Sequence, residues 1–168
     1  MDYESVIHPF APIYDERSRV LILGSFPSVK SREQAFFYGH PQNRFWKVIA
    51  SVMGQAVPVT IEQKRTLLLN NGIAVWDVIS SCEIVGSSDS SIRNVKVNDL
   101  SEIISAAPEI RIFANGTKAH ELYQKYIFPK TGHEAVKLPS TSPANAAWSL
   151  EKLCETWKRM LFGDLTNK

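Results

Sequence analysis

Residues 19–28 read RVLILGSFPS, and this stretch decides the fold. Val20 to Leu23 is an unbroken apolar run that ends at Gly24 and Pro27. A strand with one wet face would alternate polar and apolar residues. A continuous run is what a central parallel strand buried on both faces shows. Three further strands are read at Ile73 to Asp77, Ile110 to Ala114 and Ala135 to Leu138.

Between these runs the apolar residues fall at helical spacing. Asn43 to Met53 places Phe45, Trp46, Ile49 and Met53 along a helix stopped by Gly54, and Thr60 to Asn71 reads as a second helix ending before Gly72. The stretch SSCEIVGSSDSSI, from Ser80 to Ile92, reads as a Ser-rich loop, after which Asn98 or Asp99 caps a helix carrying Leu100, Ile103 and Ile104. Asn115 and Gly116 open a helix to about Ile127, and Ser149 caps a last one to about Phe162. In that last helix Leu150, Leu153, Cys154, Trp157 and Leu161 form the apolar stripe. Strands alternating with helices predict a three-layer α/β fold: an open, mainly parallel four-stranded sheet with helices on both faces and right-handed crossovers.

The chain has 168 residues, a length best met by one domain spanning 1–168 and burying roughly two thirds of its unfolded surface. At 44% apolar and 21% charged it has the composition of a folded globular protein, which sets disorder aside. The opening MDYESVIHPFAP has no basic region followed by an apolar run, and no 18 consecutive apolar residues occur. Export and membrane insertion are therefore not expected, and the cytoplasm is the expected compartment. Cys82 and Cys154 are too few for a thiolate cluster, and His8, His40, His120 and His133 are scattered, so neither a metal nor another cofactor is expected. A net charge of +2 permits contact with a polyanion without naming one.

In open parallel sheets, ligands gather at the carboxyl ends of the strands. The loops expected there are Ser25 to Asn43, Ile79 to Ile92, Asn115-Gly116 and Pro139 to Trp148, which are also the richest in Gly, Pro, Ser and Asn. Three motifs occupy them in order: Gly24-Ser25-Phe26-Pro27-Ser28, then YGHPQNRFWKVI from Tyr38, then Pro139-Ser140-Thr141-Ser142-Pro143-Ala144-Asn145-Ala146. Together they resemble the uracil-DNA glycosylase superfamily, and most closely its hypoxanthine (deoxyinosine) DNA glycosylase branch. The likeness extends through Trp76-Asp77-Val78, Ser81-Cys82 and Asp89-Ser90. HPQNRFWKVI is also found in the mismatch-specific uracil/thymine branch, so the joint presence of GSFPS and STSPANA points to hypoxanthine. Most branches carry Asp or Asn two residues after the first Gly; Phe26 stands there instead, as in the hypoxanthine branch, which relies on the residue matching Asn43.

The resemblance implies a monofunctional glycosylase acting as a monomer on double- or single-stranded DNA that holds a deaminated base. It implies a base pocket of Gly24, Ser25, Phe26, Tyr38, His40 and Asn115, with Tyr38 stacking on the extruded base. Asn43 orients water or donates to the departing base, and it reads equally as a helix N-cap. Ser140, Thr141 and Ser142 reach phosphate oxygens while Pro143, Ala144 and Asn145 form a minor-groove wedge, unless the loop is a plain turn. Asn115 reads as a donor to the base or as a cap on the next helix. His40 contacts phosphate or base, or merely orders its turn. Lys30, Arg32, Arg44 and Lys47 are candidate phosphate contacts. Asp77 and Asp89 invite a general-base role, though isolated aspartates more often cap or face solvent. The rival readings are a uracil or thymine mismatch glycosylase and a catalytically silent damage binder.

Overall fold

In the computed structural model, which describes residues 2–163, the opening run is the strand β2 (Val20–Gly24), buried along its whole length. It sits inside a parallel sheet of order β3 (Ile73–Asp77), β2, β6 (Arg111–Asn115), β7 (Ala135–Leu138). The run is apolar throughout because successive side chains serve two cores. Leu21 and Leu23 join one with Ala74, Ile112 and Ala114; Val20 and Ile22 join the other with Ile73, Val75 and Phe113.

Helices α2 (Phe45–Met53), α3 (Ile61–Asn70) and α7 (Leu150–Phe162) accompany the second core, to which they contribute Phe45, Ile49, Leu68 and Trp157. Thr60 and Gln63 form a reciprocal capping box on α3, and Ser149 caps α7 through the Lys152 N–H. The first core takes Ile103 from α4 (Ser101–Ala106) and Ala119 and Leu122 from α5 (Thr117–Leu122). The helix expected to end near Ile127 runs on through a π-helical turn, Tyr123–Ile127, into α6 (Phe128–Thr131).

Two segments depart from the sequence reading. The stretch taken as a Ser-rich loop contains β4 (Ile79–Ile84), which pairs antiparallel with β1 (Glu4–Ile7) and β5 (Arg93–Val97) in a second sheet. Val6, Cys82, Ile84, Val95 and Val97 turn inward onto the first core, and the serines and charges between them hid this period-two pattern. The loop Ser25 to Asn43 contains the short helix α1 (Val29–Gln34), capped by Ser28. Neither Asn98 nor Asp99 is the N-cap of α4, which is Leu100; Asp99 precedes it and accepts the Ser101 N–H at 2.9 Å. The buried Asn98 amide instead donates to the Asp77 and Ile79 carbonyls and ties the two sheets together.

Candidate active site

Strands β2, β3 and β6 end side by side at Gly24, Asp77 and Asn115, and these three residues line a cavity of about 250 Å³. The loops after β2 and β7 and the segment around Asp89 supply its walls. Drug-sized ligands fill roughly 300–1,000 Å³. This cavity is therefore on the scale of a single nucleobase and too small for a dinucleotide.

One wall is a closed hydrogen-bond network. Thr141, fully buried, donates its hydroxyl to Asn43 Oδ1 at 2.9 Å and accepts from Asn115 Nδ2 at 3.0 Å. Asn115 Nδ2 also donates to the Tyr38 hydroxyl, and its Oδ1 accepts the Thr141 N–H. The carbonyl of Thr141 accepts the Arg44 backbone N–H, while the Arg44 guanidinium donates to the carbonyls of Ser142, Asn145 and Trp148. The loop after β7 is thus fastened to the start of α2.

Asn43 precedes the N-cap Arg44, and its Oδ1 accepts from the Phe45 N–H at 2.9 Å as well as from Thr141. Both lone pairs of that oxygen are engaged. The capping reading and the cavity reading therefore divide the amide between them: the oxygen holds the helix start, while Nδ2 has no partner among the described residues. Tyr38 adopts φ +52°, a conformation rare for a bulky residue, and its ring stacks on Phe45 at 3.9 Å between centroids. Burial, with the Asp77 charge adding to it, pushes the Tyr38 hydroxyl well above its ordinary pKa against the opposing Asn115 hydrogen bond.

The opposite wall carries carboxylates. Asp77 is buried, and its Oδ2 meets His8 Nε2 at 2.7 Å. His8 Nδ1 accepts the Phe10 N–H, so Nε2 is the protonated nitrogen and the donor to Asp77. The imidazole sits among Phe10, Phe26, Phe37 and Trp76. Asp77 Oδ1 lies so close to Gly24 that a Cβ there would stand 2.5 Å from it and 3.0 Å from the Tyr38 hydroxyl. Asp89 accepts the Ser25 hydroxyl at 2.9 Å. Desolvation raises the Asp89 pKa and Asp77 adds to this, while Ser25 and Lys118 oppose it.

The family model for the Uracil DNA glycosylase superfamily matches residues 11–161. The chain belongs to this superfamily. Among its relatives are two proteins named hypoxanthine DNA glycosylase. The one from Methanosarcina acetivorans is 35% identical over 87% of this chain and 92% of its own length; that from Methanosarcina barkeri is 33% identical over 81% and 86%. The solution structure of a candidate uracil DNA glycosylase from M. acetivorans superposes with a TM-score of 0.76 at 35% identity, covering 91% of this chain and 95% of that one.

The glycosylase fold brings Gly24, Ser25, Phe26, Tyr38, His40, Asn43 and Asn115 to one cavity, together with Ser140 to Ala144. Several of them differ from the sequence reading. Asn115 does not cap α5, which starts at Gly116 without a side-chain cap; both its amide protons are held within the protein. Thr141 is buried with its hydroxyl engaged and does not face phosphate. Asn145 is clipped to the Ser140 carbonyl, so only Pro143 and Ala144 stand exposed as a wedge. Arg44 and Arg32 hold carbonyls, Arg32 that of Gly86, whereas Lys30 and Lys47 are exposed. His40 orders its own turn by accepting the Gln42 N–H on Nδ1. The feature sequence reasoning missed is His8, 69 residues from Asp77, for which no local signal exists.

Proposed function

We propose that this chain is a monofunctional DNA glycosylase that hydrolyses the N-glycosidic bond of hypoxanthine in DNA and leaves an abasic site. The observation that carries the reading is the divided amide of Asn43 beside Phe26. With its oxygen engaged twice, Asn43 can neither accept a proton from water nor orient one through Oδ1; it can only donate, through Nδ2. Phe26 offers no carboxylate in its place. Such a site suits a reaction in which the C1′–N9 bond breaks early and negative charge grows on the departing base. A preorganised donor aimed at that charge supplies the catalysis. Water then forms the C1′–O bond, and the proton it sheds ends on the released base.

Extruding the base costs a few kcal/mol and is cheapest for a mispaired one. The Tyr38 ring, locked by Phe45 and Asn115, offers a stacking face worth about 1–3 kcal/mol. Exposed Pro143 and Ala144 suit the gap left in the duplex. The hydroxyls of Ser140 and Ser142 each accept a backbone N–H and keep a proton for phosphate. The protein is read as a cytoplasmic monomer working without a cofactor. The names of the two Methanosarcina relatives favour hypoxanthine, while the name of the solved neighbour makes uracil the alternative.

The test is single-turnover release from duplex and single-stranded oligonucleotides carrying hypoxanthine, uracil or a G·T mismatch, scored as alkali-labile sites. Hypoxanthine release is expected to lead, and to fall about 100-fold or more in Asn43→Ala. Thermal melting of that variant should show a loss of only about 1 kcal/mol, the value of a helix-start hydrogen bond. Undiminished release by a folded Asn43→Ala would remove the residue from the mechanism, and release of uracil alone would change the substrate.

A further inference from the structure

The site described above lies where the parallel strands end, whereas a second and larger groove, of about 570 Å³, runs along the free edge of that sheet toward the strand starts. It is formed by the beginning of β6, by β7 with the two residues before it, and by the last turn of α7. Phe113, Val136 and Met160 give it an apolar floor. Among the described residues of the parallel sheet, Val136 is the large apolar side chain left exposed, at 46%. It stands in register with the buried Phe113 on the last strand of the sheet, where no further strand shelters it.

The rim is basic. Arg111, at the first residue of β6, and Arg159, in the last turn of α7, stand there against one carboxylate, Glu134, and the imidazole of His133. Neither arginine meets a carboxylate among the described residues. Arg111 is nevertheless held in place: it donates to the Leu161 carbonyl, and its guanidinium lies 5.4 Å from the centroid of the Phe113 ring. A planar guanidinium fixed in this way is suited to a carboxylate, which it can meet with two parallel N–H donors. We propose that this groove binds an acidic, extended segment of a partner protein, with its carboxylates on Arg111 and Arg159 and an apolar side chain resting on Val136 and Met160.

Charge and shape together favour a peptide over a nucleic acid. A duplex needs a stripe of cations to neutralise successive phosphates, and an apolar floor offers it nothing. A short chain segment uses both features, since its alternate side chains reach an apolar groove while the others meet the rim. Placement adds a consequence. Arg111 and Asn115 stand at opposite ends of β6, four residues apart and so about 13 Å along the strand. The groove can therefore be filled while the cavity holds its own ligand, and a partner bound there would keep the enzyme without displacing it from DNA. This goes beyond the glycosylase reading and does not depend on it.

The probe is a fluorescein-labelled peptide, Asp-Asp-Leu-Phe-Asp-Asp, titrated with the full chain and followed by anisotropy at low salt. Saturable binding is expected with a Kd on the order of 10–100 µM, weakening as salt is added. Arg159→Glu and Val136→Asp should each weaken it by about 10-fold or more, as should replacing the four aspartates of the peptide by asparagines. Both altered side chains are exposed and lie outside the cavity, so melting and single-turnover base release should stay at the parental values. Absence of saturable binding by the parent, or equal binding by the parent and both variants, overturns the proposal whether or not the protein releases a base. Displacement of the peptide by undamaged duplex DNA also overturns it and assigns the binding to a nucleic-acid surface. Self-association of the parent that Val136→Asp abolishes overturns it too, by giving the groove to a second copy of the chain.

Discussion

The two walls of the cavity handle hydrogen bonds in opposite ways. On the wall built by Asn115, Thr141 and Arg44, the side-chain donors and acceptors meet one another or a carbonyl. Asp77 on the opposite wall, and Asn43 at the edge of the network, are each held at one end and have no partner among the described residues at the other. The difference teaches how to tell a positioning residue from one that meets a ligand. An engaged amide such as Asn115 fixes geometry, whereas a half-engaged one such as Asn43 is rigid yet still has chemistry to offer. Residue type alone would have ranked the two asparagines together.

Removing the fastening of the closed wall gives the largest stability effect. Arg44→Met keeps the stem but strips the donors from the carbonyls of Ser142, Asn145 and Trp148. A loss of about 3 kcal/mol is expected in urea unfolding, since charged donors to carbonyls are worth about 1.5–3 kcal/mol each and part of the loss is recovered by water. Release of the base should fall as well, because the Thr141 carbonyl anchors the start of α2. A variant as stable as the parent would show that the loop after β7 holds itself.

A smaller effect is expected at the hub. Thr141→Val preserves shape and removes the hydroxyl that joins Asn43 to Asn115. One acceptor and one donor then lose a partner, which should lower stability by about 1–2 kcal/mol. The Asn43 oxygen retains the Phe45 N–H, so its amide should be loosened rather than freed, and release should slow by about 10-fold. If the rate were unchanged while stability fell, the distinction between the walls would be structural only.

How much of this was legible in the sequence follows the same division. The run at Val20 declared a central parallel strand because burial on both faces leaves an unbroken apolar signature, whereas Ala135 to Leu138, at the sheet edge with Val136 and Lys137 exposed, gave a weaker one. Ser149 and the stripe to Phe162 declared α7 because its cap and its period are local. The second sheet was hidden because β1 is largely exposed and β4 mixes Ser80, Ser81 and Glu83 with its inward residues. At the site, the three motifs located the cavity. They could not show which end of an amide is engaged, since Asn43 and Thr141 lie 98 residues apart. The same holds for His8 and Asp77, whose pairing exists only through the antiparallel strand that brings the amino-terminal segment across β4.

The smallest effect concerns Asp89, on the opposite wall, and its sign is diagnostic. Its carboxyl is raised above the ordinary 3.8, first by desolvation, so the folded protein holds that proton more tightly than the unfolded chain does. The stability this contributes is complete below about 3.8 and is lost as pH rises through the folded value. Asp89→Asn has no such loss, so the variant should gain on the parent across the acid range and hold a constant lead at neutral pH. Because the residue is exposed to solvent, screening keeps the lead under about 1 kcal/mol. Asp99 supplies the opposite case: its carboxyl is lowered by the Ser101 N–H, so its contribution is present above the ordinary 3.8 and lost on acidification. Melting curves of Asp89→Asn and Asp99→Asn against pH should therefore diverge from the parent in opposite directions. Parallel curves would mean that the Ser25 hydroxyl and Lys118 outweigh desolvation at Asp89.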